Sequence, residues 1–258
     1  MSVIKEGENQ MKEMRVYCRD CLDGFGELRS SSVDLIVTSP PYNNAAEKYN
    51  PIKYGSYYDY KPTREYFDWL RCVFQKAFLV LKDGGRLAIN IGSKKNGAIP
   101  SHAILGEMLT EVGYSFYTTI IWMKGNSSRN SSFGSYLSPS CPSFVTSHEY
   151  VIILHKGKRS IGKGQTDLTK NEFVEWTRGV WTFPGVHSEE HPAPFPITLP
   201  YRLIKLLTYP GALVVDPFAG RATTGVAAKM LNRRFIGFDI DGSYVRIGNR
   251  NIRTGELK

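Results

Sequence analysis

The chain predicts an α/β protein built on a doubly wound, mainly parallel sheet with helices on both faces. Three observations carry this reading. Short β-branched apolar runs alternate with segments of helical periodicity along most of the 258 residues. One apolar run ends in two consecutive prolines, at Thr38-Ser39-Pro40-Pro41-Tyr42. Another run leads through a glycine turn and a helix to a strand with a terminal acid, between Gly211 and Ile240.

The elements follow in order. Val33-Asp-Leu-Ile-Val-Thr38 reads as a short, largely buried strand. Pro40 and Pro41 end it, because a proline nitrogen cannot donate to a ladder and each ring restricts its predecessor. Residues 64–82 place Phe67, Leu70, Phe74, Ala77, Phe78 and Leu81 at helical spacing, with Asp83-Gly84-Gly85 as the stop. Residues 86–92 form a strand, 100–112 a second amphipathic helix, 114–124 a long strand and 149–154 another. Gly211-Ala-Leu-Val-Val-Asp-Pro-Phe218 is an apolar strand with an acidic end. A helix over 224–231 follows, capped by Thr223 or Thr224, and then the strand Phe235-Ile-Gly-Phe-Asp-Ile240.

Two of these strand ends offer chemistry. At the first, a rigid tip presents the Ser39 hydroxyl, the Pro40 carbonyl and the Tyr42 ring. An exocyclic amino nitrogen of cytosine or adenine is a poor nucleophile, since its lone pair is delocalised into the ring. Acceptors that bind both of its N–H groups favour a more tetrahedral nitrogen, and Ser39 Oγ and the Pro40 carbonyl are candidates for that task. Tyr42 is a candidate for stacking on a base flipped out of a duplex, worth about 1–3 kcal/mol. The plainer alternative is a proline-terminated strand leading into a surface loop. At the second strand end, Gly220 permits close backbone approach to a ligand. Asp239, about 20 residues beyond the turn, is placed to accept from ribose hydroxyls. The turn lacks the full G-x-G-x-x-G pattern, which disfavours a dinucleotide.

Together these residues resemble the amino-methylating DNA methyltransferases that use S-adenosylmethionine, in the circularly permuted β-class arrangement. There the Ser/Asp/Asn-Pro-Pro-Tyr motif precedes the target-recognition segment, and the Asp-Pro-Phe-x-Gly motif lies near the C-terminus. The resemblance spans nearly the whole chain and implies a Rossmann-like methyltransferase fold. It implies catalytic roles for Ser39, Pro40, Pro41 and Tyr42. Asp216, Phe218, Gly220, Thr223 and Thr224 are expected around the methionine part of the cofactor, and Asp239 at its ribose. Asp20 and Cys21 match the segment holding an acid near the adenine, and Thr38 joins the cofactor side. His191, Phe195 and Pro196 come from His191-Pro-Ala-Pro-Phe-Pro196, the lead-in to the helix before the cofactor strand. Arg221 and Ala222 stand where the family usually has Ser-Gly, and Ala222 fits there if its φ is negative.

Within that family, serine at position 39 points to cytosine N4. Gly134-Ser-Tyr-Leu-Ser-Pro-Ser140 with Pro142 also resembles a segment common in the N4-cytosine enzymes. Chemistry alone leaves adenine N6 open, because both bases set a ring nitrogen beside the amino group and a serine hydroxyl can donate or accept. A non-catalytic nucleic-acid-binding protein on the same scaffold is the reading from another class. Double-stranded DNA is the implied partner, and a homodimer and a cognate restriction endonuclease are further partners the resemblance admits.

Composition agrees. A hydrophobic share of 41% suits one domain over 1–258 with an embedded recognition segment, set at 126–181. The net charge of +9 suits a phosphate-rich partner. No run of 18 apolar residues occurs and the first 14 residues are charged and polar, so the reading expects no membrane partner and a cytoplasmic protein. Cys18-x-x-Cys21 has zinc-knuckle or redox spacing but no second pair nearby, so ordinary thiols and no metal site are expected. His187-Ser-Glu-Glu-His191 matches a zinc-peptidase string only by letter, since the surrounding prolines disfavour the helix that string requires. Two segments are candidates to face DNA. Residues 43–61 carry Lys48, Lys53 and Lys61 among tyrosines, 125–159 are rich in Ser, Asn and Gly with scattered basic side chains, and 163–181 continue as an irregular polar stretch.

Overall fold

The computed structural model describes residues 11–43, 53–54, 57–58, 61–93, 99–125, 134–135, 137–142, 144, 146–186 and 195–257. In chain order the elements are β1 (Arg15–Cys18), α1 (Cys21–Glu27), β2 (Val33–Thr38), β3 (Lys53–Tyr54), β4 (Tyr57–Tyr58), α2 (Thr63–Val80), β5 (Leu81–Ile91) and α3 (Ser101–Val112). They continue as β6 (Ser115–Met123), β7 (His148–His155), α4 (Lys170–Trp176), β8 (Val180–Thr182), α5 (Thr198–Leu207), β9 (Leu213–Asp216), α6 (Thr223–Met230), β10 (Arg234–Asp239) and α7 (Gly242–Thr254).

Eight strands form one sheet in the order β1-β10-β9-β2-β5-β7-β6-β8, while β3 and β4 pair as a small hairpin. The pairing is parallel from β1 to β5. Only β7 runs against its neighbours β5 and β6, and β8 is parallel to β6. The expected mainly parallel, doubly wound sheet is therefore present, with one reversed strand. Because side chains alternate across a strand, each central strand feeds two cores. Leu213 and Val215 point with Ile236, Phe238 and Ile89 toward α1, α2 and α3. Val214 points with Phe235, Val37 and Ala88 toward α4, α5, α6 and α7. The edge strand β1 is covered from α7: the Asn249 amide accepts from Val16 N and donates to Val16 O, both at 2.9 Å.

Chain order places the binding face. From β9 the chain moves outward through β10, and from β2 it moves the other way to β5. The adjacent pair β2–β9 is thus the switch point, and in such sheets ligands bind outside the carboxyl ends of the strands there.

Two local expectations differ from the structure. Asp83-Gly84-Gly85 does not stop α2 as a loop, because β5 already begins at Leu81. The three residues form an irregularity between the Val33–Leu81 and Leu35–Arg86 partners, with Gly84 at φ 82. The polar stretch 163–181 is not irregular throughout: Thr169 and Glu172 make a capping box at the start of α4, and β8 extends the sheet. Trp176 and Trp181 from this stretch are buried in the core beside α5. Among the described residues no helix is long and apolar enough to cross a membrane.

Candidate active site

A cleft opens at the carboxyl ends of β1, β10, β9 and β2. Arg19, Asp20 and Cys21 line it after β1, Ser39 to Tyr42 after β2, Pro217, Phe218 and Gly220 after β9, and Asp239 and Ile240 after β10. Lys61, Trp69 and Tyr244 complete the wall. Nine of the residues singled out from sequence thus meet in one place: Asp20, Cys21, Ser39, Pro40, Pro41, Tyr42, Phe218, Gly220 and Asp239.

Three others sit behind the wall as a brace. Asp216, at the end of β9, is 1% exposed and accepts from Thr38 Oγ1 and Thr224 Oγ1, both at 2.7 Å, and from Phe218 N at 3.1 Å. Burial pushes its carboxyl up to about 6 against the pull of those three donors. Thr38 and Thr224 are themselves buried and donate inward. These three groups set the spacing of the two strand ends and the start of α6. Thr223 begins α6 outside the lining, and Phe195 and Pro196 lie near the core beside α5 rather than in the cleft. His191 lies outside the described residues.

The cofactor-type turn is held by its own acid. Asp239 Oδ2 accepts from Gly220 N at 2.8 Å and Oδ1 from Asp241 N at 2.9 Å. Burial pushes the Asp239 carboxyl up, opposed by these two N–H bonds. Each oxygen keeps a further acceptor position. Ala222 departs from the expectation of negative φ: it stands at φ 61, ψ 40, in the left-handed region, and is fully buried. Glycine at this position would meet no such penalty.

On the other side, Asp20 caps α1 by accepting from Leu22 N at 2.7 Å and remains exposed. Burial pushes the Cys21 thiol well above the ordinary range, with the Asp20 charge adding to it, so Cys21 stays a neutral thiol. Both Cys18 and Cys21 are free, and no cluster of three or more metal-ligating side chains occurs among the described residues.

Ser39 and Tyr42 belong to a polar network that sequence alone did not reveal. Ser39 Oγ lies 3.1 Å from both the Tyr42 hydroxyl and the Asn90 carbonyl oxygen. The Tyr42 hydroxyl donates to Glu149 Oε2 at 2.9 Å. Asn90 Nδ2 donates to the Tyr42 hydroxyl at 2.8 Å and to Glu149 Oε2 at 2.7 Å. Glu149 Oε1 is paired with Lys124 Nζ. Tyr42 is 8% exposed, so its ring is a packed wall of the cleft rather than the open aromatic face expected of a strand tip. The signal for the missed residues was present: Asn90 and Glu149 are polar side chains inside otherwise apolar strands, where an unpaired polar group is costly. Next door, Trp69 packs on Phe218 with ring centroids 5.5 Å apart, and Tyr66 donates to Pro41 O at 2.8 Å. The Asn43 amide pairs with both backbone groups of Lys61 beside the cleft.

Comparison with known proteins agrees with this architecture. A family model described as DNA methylase matches residues 33–250. The type II methyltransferase M.MjaVI of Methanocaldococcus jannaschii is 41% identical over 167 residues, covering 64% of this chain and 83% of that protein. M.MjaI of the same organism is 30% identical over 260 residues, covering 84% of each. A DNA modification methylase assigned in Thermus thermophilus, solved in complex with S-adenosyl-L-methionine, superposes with a TM-score of 0.71 at 25% identity. That match covers 93% of this chain and 95% of the other.

Proposed function

The chain belongs to the DNA methylase family, and from that premise we propose that it transfers a methyl group from S-adenosylmethionine to the N4 amino group of a cytosine flipped out of double-stranded DNA. The observation that carries this reading is the polarity of Ser39. Its neighbours inside the protein, the Asn90 carbonyl and a Tyr42 hydroxyl whose own hydrogen is taken by Glu149, both act as acceptors toward it. Ser39 therefore gives its hydrogen inward and keeps a lone pair for the cleft, as an acceptor of an amino N–H must.

The cleft fits the cofactor by its donor and acceptor set. Asp239 and Asp20 offer carboxylate oxygens to hydroxyl and amino groups, Phe218 and Trp69 offer apolar faces, and Gly220 lines the wall with its N–H tied to Asp239. When bound, S-adenosylmethionine supplies a methyl group on a cationic sulfur, which needs only an aligned nucleophile. The chain's task is to provide that alignment. Ser39 Oγ and the Pro40 carbonyl accept the two amino hydrogens and hold the nitrogen lone pair toward the donor side, fixed before reaction. After transfer, the amino nitrogen carries one proton too many and gives it to solvent water as the product leaves the cleft.

The choice of cytosine N4 over adenine N6 rests on serine heading the motif. A methyl-transfer assay with labelled S-adenosylmethionine and mixed-sequence DNA, followed by nucleoside mass analysis, decides between them. N4-methylcytosine is the expected product. N6-methyladenine would transfer the same geometry to the other base, and no modified nucleoside despite tight DNA binding would favour a non-catalytic role.

A further inference from the structure

We propose that Glu149, on the reversed strand β7, is a positioning residue that fixes the direction of the hydroxyl hydrogens of Tyr42 and Ser39, and so makes Ser39 an acceptor. The inference rests on the role of Ser39 in amino methylation argued above.

The Tyr42 hydroxyl has one hydrogen, and Ser39 Oγ, Asn90 Nδ2 and Glu149 Oε2 are among its neighbours. Asn90 Nδ2 can only donate to it. A carboxylate can only accept, so Glu149 Oε2 takes the hydrogen. Ser39 then meets an oxygen whose hydrogen is already committed and must be the donor in that pair, or donate to the Asn90 carbonyl instead. In both cases a Ser39 lone pair remains for the cleft. Glu149 is 8% exposed, and its other oxygen, Oε1, is paired with Lys124 Nζ. Asn90 shows how strongly that carboxylate directs the network. Its amide turns both hydrogens toward Tyr42 and Glu149 and leaves Oδ1 buried without a partner, an arrangement that is ordinarily unfavourable.

Neutralising Glu149 reverses the logic without changing its shape. In Glu149→Gln the amide oxygen is drawn to Lys124, and the amide NH2 faces Tyr42 and Asn90. Tyr42 then accepts from that amide and turns its hydrogen onto Ser39 Oγ, occupying the lone pair that the target amino group requires.

The test is a double-mutant cycle on the full-length protein, read as single-turnover methyl transfer to a DNA substrate methylated by the wild type. Glu149→Gln is expected to lower the rate about 10- to 100-fold. The S-adenosylmethionine Kd and the melting temperature should stay near wild type. On a Tyr42→Phe background, which has already lost the hydroxyl, the same substitution should cost less than about 3-fold. Equal losses on both backgrounds, an unchanged rate, or a loss confined to cofactor Kd would overturn the proposal. If Glu149→Gln melts early, both backgrounds are compared below its melting transition, where a loss of rate that Tyr42→Phe does not relieve would overturn the proposal. A wild-type protein that forms no methylated nucleoside would instead remove the functional reading on which the inference rests.

Discussion

Thr38 Oγ1 donates to Asp216 Oδ1 at 2.7 Å, joining two residues 178 positions apart in the chain. Thr38 precedes Ser39, and Asp216 precedes the Pro217-Phe218 wall of the cleft, so one bond sets the distance between the proposed methyl-acceptor side and the cofactor side. Thr224 Oγ1 on the other carboxylate oxygen brings the start of α6 into the same brace. A buried carboxylate with three donors is a rigid spacer, and its burial makes it sensitive to pH.

That sensitivity has a definite sign. The Asp216 carboxyl is raised from 3.8 to about 6 in the folded protein, so between these values the folded state holds its proton more tightly than the unfolded chain. The contribution is fully present below pH 3.8 and is lost as pH rises to about 6, up to roughly 3 kcal/mol across the window. Wild type should therefore lose stability relative to Asp216→Asn between about pH 4 and 6 and show a constant difference above about pH 7. Urea unfolding of both proteins at several pH values measures this. A difference that does not change with pH would mean that the threonine donors offset the burial.

Asp239 should govern cofactor affinity. Replacing it with alanine removes the cleft's acceptors at the end of β10 and strands the N–H groups of Gly220 and Asp241. The expected weakening of S-adenosylmethionine binding is about 10- to 100-fold, with transfer partly recovered at saturating cofactor. Calorimetric titration gives the constant directly, and an unchanged Kd would remove Asp239 from the ribose role.

What the sequence made legible was the set of features carried by contiguous residues. Val33–Thr38, Leu213–Asp216 and Arg234–Asp239 are apolar runs closed by a polar residue, and all three emerge as interior parallel strands. The Pro-Pro tip and the glycine turn are equally local, and they lie on one cleft because parallel strands end on the same side. The Ser39–Tyr42–Asn90–Glu149–Lys124 network was not legible, because its members come from four separate stretches of chain and only tertiary pairing of β5, β6 and β7 brings them together. Strand β8 escaped for another reason: its three residues follow a polar helix and carry no alternation long enough to register. Helices α4 and α7 had readable signals that periodicity alone overlooks, namely the Thr169–Glu172 capping box and the Asp241 and Gly255 caps. Burial of Trp176 and Trp181 also bears on where DNA recognition lies. Residues 163–181 brace α5 through Lys205–Glu172 and Arg202–Glu175, so their removal would strip a core face as well as any DNA contact.

Ser39 should act on rate and leave cofactor binding alone. Ser39→Ala deletes the acceptor while Asp216, Phe218 and Asp239 stay in place. Single-turnover transfer should fall about 100- to 1000-fold with the S-adenosylmethionine Kd within about twofold of wild type. Near-wild-type transfer would sink the acceptor role.

The turn at Ala222 and the helix at Gly248 should prove coupled. Ala222 takes a left-handed conformation at φ 61, which costs an L-residue roughly 1–2 kcal/mol, while its buried methyl returns about 0.8 kcal/mol. Ala222→Gly should therefore change stability by no more than about 1 kcal/mol. Gly248→Ala is different, because a Cβ there would lie 3.1 Å from both Ala222 Cβ and Gly220 O, and 3.2 Å from Val16 Cγ2. Crowding of that kind costs about 1–3 kcal/mol in a packed interior. Since one of the three contacts is the Ala222 methyl, Gly248→Ala should cost about 0.5–1 kcal/mol less on an Ala222→Gly background. Urea unfolding of the four proteins measures the coupling. Strict additivity would assign the limit to the Gly220 carbonyl instead, and Gly248→Ala should then displace the turn itself and weaken S-adenosylmethionine binding to the same extent on both backgrounds.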